Sequence, residues 1–224
     1  MGKLKVVTID GPSGAGKSTT ARLLAKKLGW NCLDTGAMYR AVGLKAHRNG
    51  IPLDDDARLE KLLAGTKISF SNCDGAARIF LDGEDVSEAI REHYVSSLAS
   101  RVSARRPVRE AMARFQREIG SSNPTIAEGR DMGTVVFNDA FLKIFLKTSP
   151  ETRARRRTNE LVMAGTAPDY EAILADITER DHNDSTRALA PLKPAEDAVM
   201  IDSGALNADE VVEAIAALVE ERES

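Results

Sequence analysis

Apolar positions along the chain fall into two patterns, short uninterrupted runs and longer stretches with a helical repeat. Leu4–Ile9 reads as a buried strand. Lys17–Leu28 carries Ala21, Leu24 and Leu28 along one face and stops at Gly29, as an amphipathic helix does. Trp30–Leu33 is a short second strand, and Met38–Asn49 is helical until Gly50-Ile51-Pro52 ends it. Asp54–Leu63 predicts another helix, with Asp54-Asp55-Asp56 at the end where the helix dipole favours negative charge. Lys67–Ser71 and Arg78–Leu81 flank Asn72-Cys73-Asp74-Gly75 and predict a hairpin. Helical patterns follow at Val86–Glu92, Tyr94–Ala104 and Pro107–Ile119, the last opening on a proline. Thr125–Glu128, Leu142–Lys147 and Ala198–Ile201 are further runs of buried-strand length, with helices at about 150–163, 169–183 and 207–222.

Five buried runs separated by helices predict an α/β fold, a five-stranded parallel sheet with helices on both faces. The segment at about 36–106, with its own hairpin, reads as an insert between the second and third core strands. A single domain over 1–224 is expected, its core formed by about 1–35 and 107–224. A formal net charge of -3 argues against a general nucleic-acid binder, which is usually basic. No apolar run reaches the length of a membrane span, and MGKLKVVTID lacks the apolar stretch of a signal peptide. A cytoplasmic protein is expected, with Cys32 and Cys73 as reduced thiols.

GPSGAGKST, residues 11–19, lies directly behind the first strand and fits G-x-x-x-x-G-K-[ST]. Its residues Gly11, Pro12, Ser13, Gly14, Ala15, Gly16, Lys17, Ser18 and Thr19 form a candidate ATP-binding loop. Gly14 and Gly16 permit the tight turn that points backbone N–H groups inward, and the following helix adds the positive end of its dipole. Lys17 would reach the β and γ phosphates, and the Ser18 hydroxyl would ligate Mg²⁺.

A loop of this kind serves switches, motors and kinases alike. No N-K-x-D tetrapeptide is present to read a guanine. Leu142–Leu146 ends in Lys147 rather than in the acid a motor needs, Asp202 comes late in the chain, and Glu128 is a weak candidate for that role. A kinase must exclude water and grip an acceptor. Arg153, Arg155, Arg156 and Arg157 follow the Leu142–Lys147 strand and read either as an arginine-bearing lid or as a solvated basic surface. Arg40 and Arg130 follow the second and third strands, and Arg180 and Arg187 bracket Asp184. Carboxyl ends of strands are where ligands collect in such sheets, and a guanidinium grips phosphate in bidentate fashion.

DGPSGAGKST, LDTGAMYR, GEDVS, PVRE, EGRDMGTVVF and ERDHNDSTRALAPL, in this order, resemble the bacterial cytidylate kinases. The resemblance runs from Ile9 to the Ala198–Asp202 strand, and GRDMGTVVF and RALAPL are more specific than the phosphate loop. It implies a P-loop kinase fold in which the insert is an acceptor-binding lobe and residues at about 150–168 are a short lid. The implied reaction is transfer of the ATP γ-phosphoryl to CMP or dCMP with Mg²⁺, by a monomer that engages neither nucleic acid nor membrane. Arg40, Arg130 and Arg187 would hold the acceptor phosphate, Ser100, Arg109 and Asp131 the cytosine, and Asp184 with Arg180 the sugar hydroxyls. Thr35, where the family often has Ser, and Tyr39 join the implied acceptor set; Ser18 stands where many members have Gly.

The implied roles suit the chemistry. A carboxylate such as Asp131 accepts from the cytosine N4 amino group, whereas uracil would oppose it with a carbonyl. Transfer needs alignment and charge neutralisation, which Lys17, Arg130, Arg187 and the lid arginines Arg153 and Arg157 would supply. Alternatives are a slow ATP-hydrolysing regulatory module, or a kinase for another small acceptor such as UMP or one of shikimate type.

Overall fold

The computed structural model describes residues 5–73 and 76–224, without the side chains of residues 72–77. The Asp74-Gly75 tip of the expected hairpin lies outside the described residues. The chain divides into two compact units, one comprising residues up to 32 and from 123 onward, the other residues 33–122.

The first unit contains β1 (Val6–Asp10), α1 (Lys17–Leu28) and the start of β2 (Asn31–Asp34). After the other unit it continues with β6 (Thr125–Gly129), β7 (Leu142–Lys147), α6 (Pro150–Met163), α7 (Tyr170–Thr186), β8 (Val199–Asp202) and α8 (Ala208–Glu223). The strands form a parallel sheet in the order β2-β6-β1-β7-β8 with helices on both faces. All five residues of β1 and all five of β6 are buried, as strands covered on both faces are, and their buried polar side chains Thr8, Asp10, Thr125 and Glu128 are exceptions to the apolar pattern. Asp10, the last residue of β1, stands opposite Gly129 of β6 and Phe145 of β7. That register brings the ends of three strands to the point where the glycine-rich loop begins. The core of this unit packs Val7, Ile9, Leu24, Ile144, Leu146, Val212 and Ile215 together, with α1 against α8.

Local signals set the helix ends. Gly29 closes α1 in the left-handed conformation and donates its N–H to Ala25 O. Ser149 caps α6, with Pro150 in the first turn, and Asn207 and Glu210 make a reciprocal cap on α8. Between β6 and β7 lies a π-helical turn, Met132–Val136, for which the apolar pattern gave no cue.

The second unit contains the end of β2, α2 (Thr35–Arg48), α3 (Asp56–Ala64), β3 (Ile68–Cys73), β4 (Ala76–Leu81), β5 (Glu84–Asp85), α4 (His93–Ser103) and α5 (Arg106–Ser122). The three strands form an antiparallel sheet in the order β3-β4-β5. Asp34 accepts from Ala37 N–H and starts α2 at Thr35, three residues before the apolar period alone would start it. The helix expected over Val86–Glu92 is only a 3₁₀ turn, Ala89–Arg91. Asp85 accepts from Ser87 N–H and the Ser87 hydroxyl accepts from Ile79 N–H, so side chains hold this segment as a turn. Val86 and Ile90 still reach the small core with Ile79, Leu81 and Val95. Helix α5, assigned from sequence to the core, belongs to this unit because it packs on α2, α3 and α4.

Gly11 and Gly16 separate two kinds of glycine requirement. Both have positive φ, 149° and 91°, but a Cβ on Gly11 would lie 2.3 Å from Leu146 O, whereas one on Gly16 would meet nothing within 4 Å. Gly16→Ala is expected to cost about 1–3 kcal/mol of backbone strain. Gly11→Ala should cost distinctly more, because β7 backbone must also move; urea denaturation of the two variants measures the difference, and equal losses would contradict it.

Candidate active site

Residues 11–19 connect the end of β1 to α1. Positive φ at Gly11, Gly14 and Gly16 turns the backbone tightly, and Gly16 sits at the N-cap of α1 with no side-chain cap on the helix. The unpaired N–H groups of this first turn are thus left for an anion. Lys17 is buried, and its Nζ folds back to donate to Pro12 O at 2.7 Å. Burial first, then the Arg130 guanidinium, pushes its ammonium down to about 7, against the pull of Glu128, Asp10 and Asp184. A phosphate in the loop would add its negative charge to that of these carboxylates and favour the ammonium form.

Two acids meet the loop from the strand ends. Ser18 Oγ donates to Glu128 Oε1 at 2.5 Å, so the weak acidic candidate of the sequence reading lies beside the loop hydroxyl. Asp10 accepts from Met132 N–H at 2.9 Å and from Gly133 N–H at 2.7 Å. Burial raises its carboxyl to about 6, although both hydrogen bonds favour the anion. Among the described residues no cluster of three or more His, Cys, Asp or Glu is arranged to hold a metal. Mg²⁺ needs few protein oxygens when substrate phosphates supply others, and Ser18 Oγ with the Glu128 carboxylate fits that donor set.

The arginines and acids expected at an acceptor site lie partly in each unit. In the first, Arg130 Nε donates to Asp184 Oδ2 at 2.9 Å, and Arg187 Nη1 lies 3.6 Å from Asp184 Oδ1. Arg187 Nη2 stands 3.8 Å from Asp131 Oδ1, and its Nε donates to Ala190 O at 2.7 Å. Asp131 is buried beside the π-helical turn, and Arg180 lies one helical turn before Asp184 on α7. Two arginines and two carboxylates therefore share one small polar cluster in which charge is balanced. In the second unit, Arg40 donates to Asp34 at 3.3 Å, and Thr35 is buried at the start of α2. The Arg109 guanidinium lies 5.8 Å from the Tyr39 ring centroid and donates to Ser103 O at 3.1 Å. Ser100, on α4, gives its carbonyl to the Ser103 hydroxyl.

The arginines of α6 do not act as one group. Arg153 is buried, donates through both terminal nitrogens to Asp181 of α7, and reaches Ser13 O in the loop at 3.0 Å. Arg157 is exposed and meets Glu160 at 3.1 Å, and Arg156 donates to Ser203 O at 2.5 Å. The face shared by Arg153 and Arg157, four residues apart, thus has one end locked and one end open. Beside the loop lies a cavity of about 340 Å³ lined by Gly14, Thr19, Arg156, Arg157, Ser203 and Asn207. The sequence reading missed Asp10, Asp181, Ser203 and Asn207. Asp10 alone left a signal, a carboxylate closing a buried strand immediately before the loop.

Lys17 sets a proton balance that can be measured. Its folded value near 7 lies below the ordinary 10.5, so at pH 8 the resting side chain is mostly neutral. A nucleotide polyphosphate in the loop restores the charge, so binding takes up a proton and affinity falls as pH rises above 7. Titration calorimetry at pH 8 in two buffers of different ionisation enthalpy should show this uptake, and Lys17→Arg should lack it.

Comparison with known proteins bears on the fold and the family. A solved structure of an uncharacterised protein from Eubacterium ventriosum superposes with a TM-score of 0.51 over 98% of this chain and 99% of its own at 10% identity, a likeness of fold. A cytidylate kinase from Geobacter sp. (strain M21) is 51% identical over 217 residues, 97% of this chain and 93% of its own. One from Pelotomaculum thermopropionicum is 50% identical over 214 residues, 95% of each chain. The family description for cytidylate kinase matches residues 7–221, and the chain belongs to the cytidylate kinase family.

Proposed function

We propose that the protein transfers the γ-phosphoryl group of ATP to CMP and dCMP, giving ADP with CDP or dCDP. One observation carries the reading. Beside a loop suited to a polyphosphate, the same unit gathers Arg130, Asp131, Asp184 and Arg187, a balanced set with donors for a second anion and carboxylates for a base and a sugar. A protein that only hydrolysed ATP would have no use for it. The names of the relatives point the same way.

On this reading the residues divide the work. Gly11 to Thr19 hold the donor phosphates through backbone N–H groups, and Lys17 neutralises charge on the β and γ phosphates. Ser18 and Glu128 would hold the Mg²⁺ that accompanies ATP, and the ion would supply further charge neutralisation. Arg40, Arg130 and Arg187 take the acceptor phosphate, and Asp184, flanked by Arg180, the sugar hydroxyls. Asp131 accepts from the cytosine amino group, while Arg109 and Ser100 donate to N3 and O2. Thr35 and Tyr39 complete the acceptor set from α2. Arg157 is the open lid arginine, whereas Arg153 would have to leave Asp181 to reach the transferring group. No strong base is needed, because alignment and fixed charge do the catalysis.

Uracil would leave the buried Asp131 carboxylate facing a carbonyl, and unpaired polar groups of that kind discriminate strongly. ADP release from Mg-ATP should be fast with CMP and dCMP, and roughly a hundredfold lower in kcat/KM with UMP. Release that ignores the acceptor would favour the regulatory hydrolase, and equal CMP and UMP rates would remove the role of Asp131. Lys17→Ala should lose at least about a hundredfold in kcat while keeping its circular dichroism spectrum.

A further inference from the structure

Arg130 and Asp131 occupy a two-residue bridge between Gly129, the last residue of β6, and the π-helical turn that starts at Met132. How they leave the strand therefore depends on what fixes each end of the bridge. The first end is fixed by sheet register, in which Gly129 pairs with Asp10 of β1. The second end is held by the same residue. Asp10 Oδ1 takes the Met132 N–H at 2.9 Å and Oδ2 the Gly133 N–H at 2.7 Å, both buried.

These two N–H groups open a short helical turn and have no partner within it, so they need an acceptor from elsewhere. Asp131, at the N-cap, makes no side-chain cap on the turn. Its carbonyl instead accepts from Val135 and Val136 N–H, while Phe137 N–H returns to Met132 O. Asp10 thus caps the turn from another strand, a role the Asp131 side chain does not take. The turn also lies tight on β1, since a Cβ on Gly133 would come 3.0 Å from Thr8 Oγ1. Only a carboxylate presents two equivalent acceptors at this spacing; an asparagine would oppose one N–H with its own amide hydrogens.

We infer that Asp10 is a positioning residue for acceptor recognition, clamping both ends of the bridge that carries Arg130 and Asp131. The inference rests on the proposed reading of Asp131 as the group that recognises the base. Loss of one clamp bond leaves the sheet and the phosphate loop in place but lets the bridge rotate. Selectivity for the base then falls before donor binding does.

The test is Asp10→Asn, assayed at pH 8 with CMP and UMP at saturating Mg-ATP, and with ATP at saturating CMP. The expected result is a KM for CMP raised about tenfold, a CMP-over-UMP ratio of kcat/KM contracted by a similar factor, and a KM for ATP within about twofold of the wild type. An unchanged CMP-over-UMP ratio overturns the inference, as does a rise in the KM for ATP equal to that for CMP, which would make Asp10 a support of the loop. Where the variant does not fold, hydrogen exchange in the wild-type protein decides. Met132 and Gly133 amides should exchange slowly with and without CMP, and fast exchange in the resting protein overturns the clamp. A wild type that shows no preference for CMP over UMP refutes the base-reading role itself, and the exchange measurement distinguishes that failure from failure of the clamp.

Discussion

Burial of charge where β1 and β6 end is the constraint on which the site depends. Lys17, Asp10, Glu128 and Asp131 are all nearly excluded from solvent there. A single charge so placed would be expensive, and the group would rather neutralise. The structure answers with partners of different kinds. Glu128 accepts from a hydroxyl, Asp10 from two backbone N–H groups, and Lys17 donates to the Pro12 carbonyl, while its burial and the Arg130 guanidinium loosen its proton. Burial and the nearby Arg130 guanidinium, rather than any shortage of carboxylates, disfavour the Lys17 ammonium, and a polyphosphate in the loop would favour it.

The same logic links the loop to α6 and α7. Arg153 is buried because both edges of its guanidinium are used, by Asp181 and by the carbonyls of Ser13, Thr148 and Ser149. It ties the donor loop to the helix that carries Arg180, Asp184 and the approach to Arg187. Truncating it would leave Asp181 without its cation and Ser13 O without its donor, so the cost would be structural before it was catalytic. Arg157, one turn further along α6, meets only an exposed glutamate, and an exposed pair of this kind holds a side chain weakly.

The second unit is built to a different rule. Its three-stranded sheet is antiparallel, two of its helices are started by Asp34 and Asp55, and the residues proposed for the acceptor lie on α2, α4 and α5. Arg109 over the Tyr39 ring and Arg40 on Asp34 are local pairs, each formed within the unit. Nothing in them resembles the buried charge of the first unit.

Where period and punctuation were strong, local sequence was enough. Lys17–Leu28 and Leu142–Lys147 end where Gly29 and Lys147 say they should, and the glycine-rich loop announces itself by spacing. The family motifs named the arginines and acids of the candidate site, because their order along the chain is itself a signature. What remained hidden depends on contacts between residues far apart in the chain. The π-helical turn at Met132–Val136 is capped by Asp10, more than 120 residues earlier, and no local pattern encodes that bond. Ser18 finds Glu128 and Arg153 finds Asp181 in the same way. Sequence alone determined which residues carry charge and where the strands lie, although of the five runs expected to be buried β2 and β8 are partly exposed at the edges of the sheet. Only the tertiary structure decided which charges neutralise one another, because that is set by strand register and helix packing, which join distant residues.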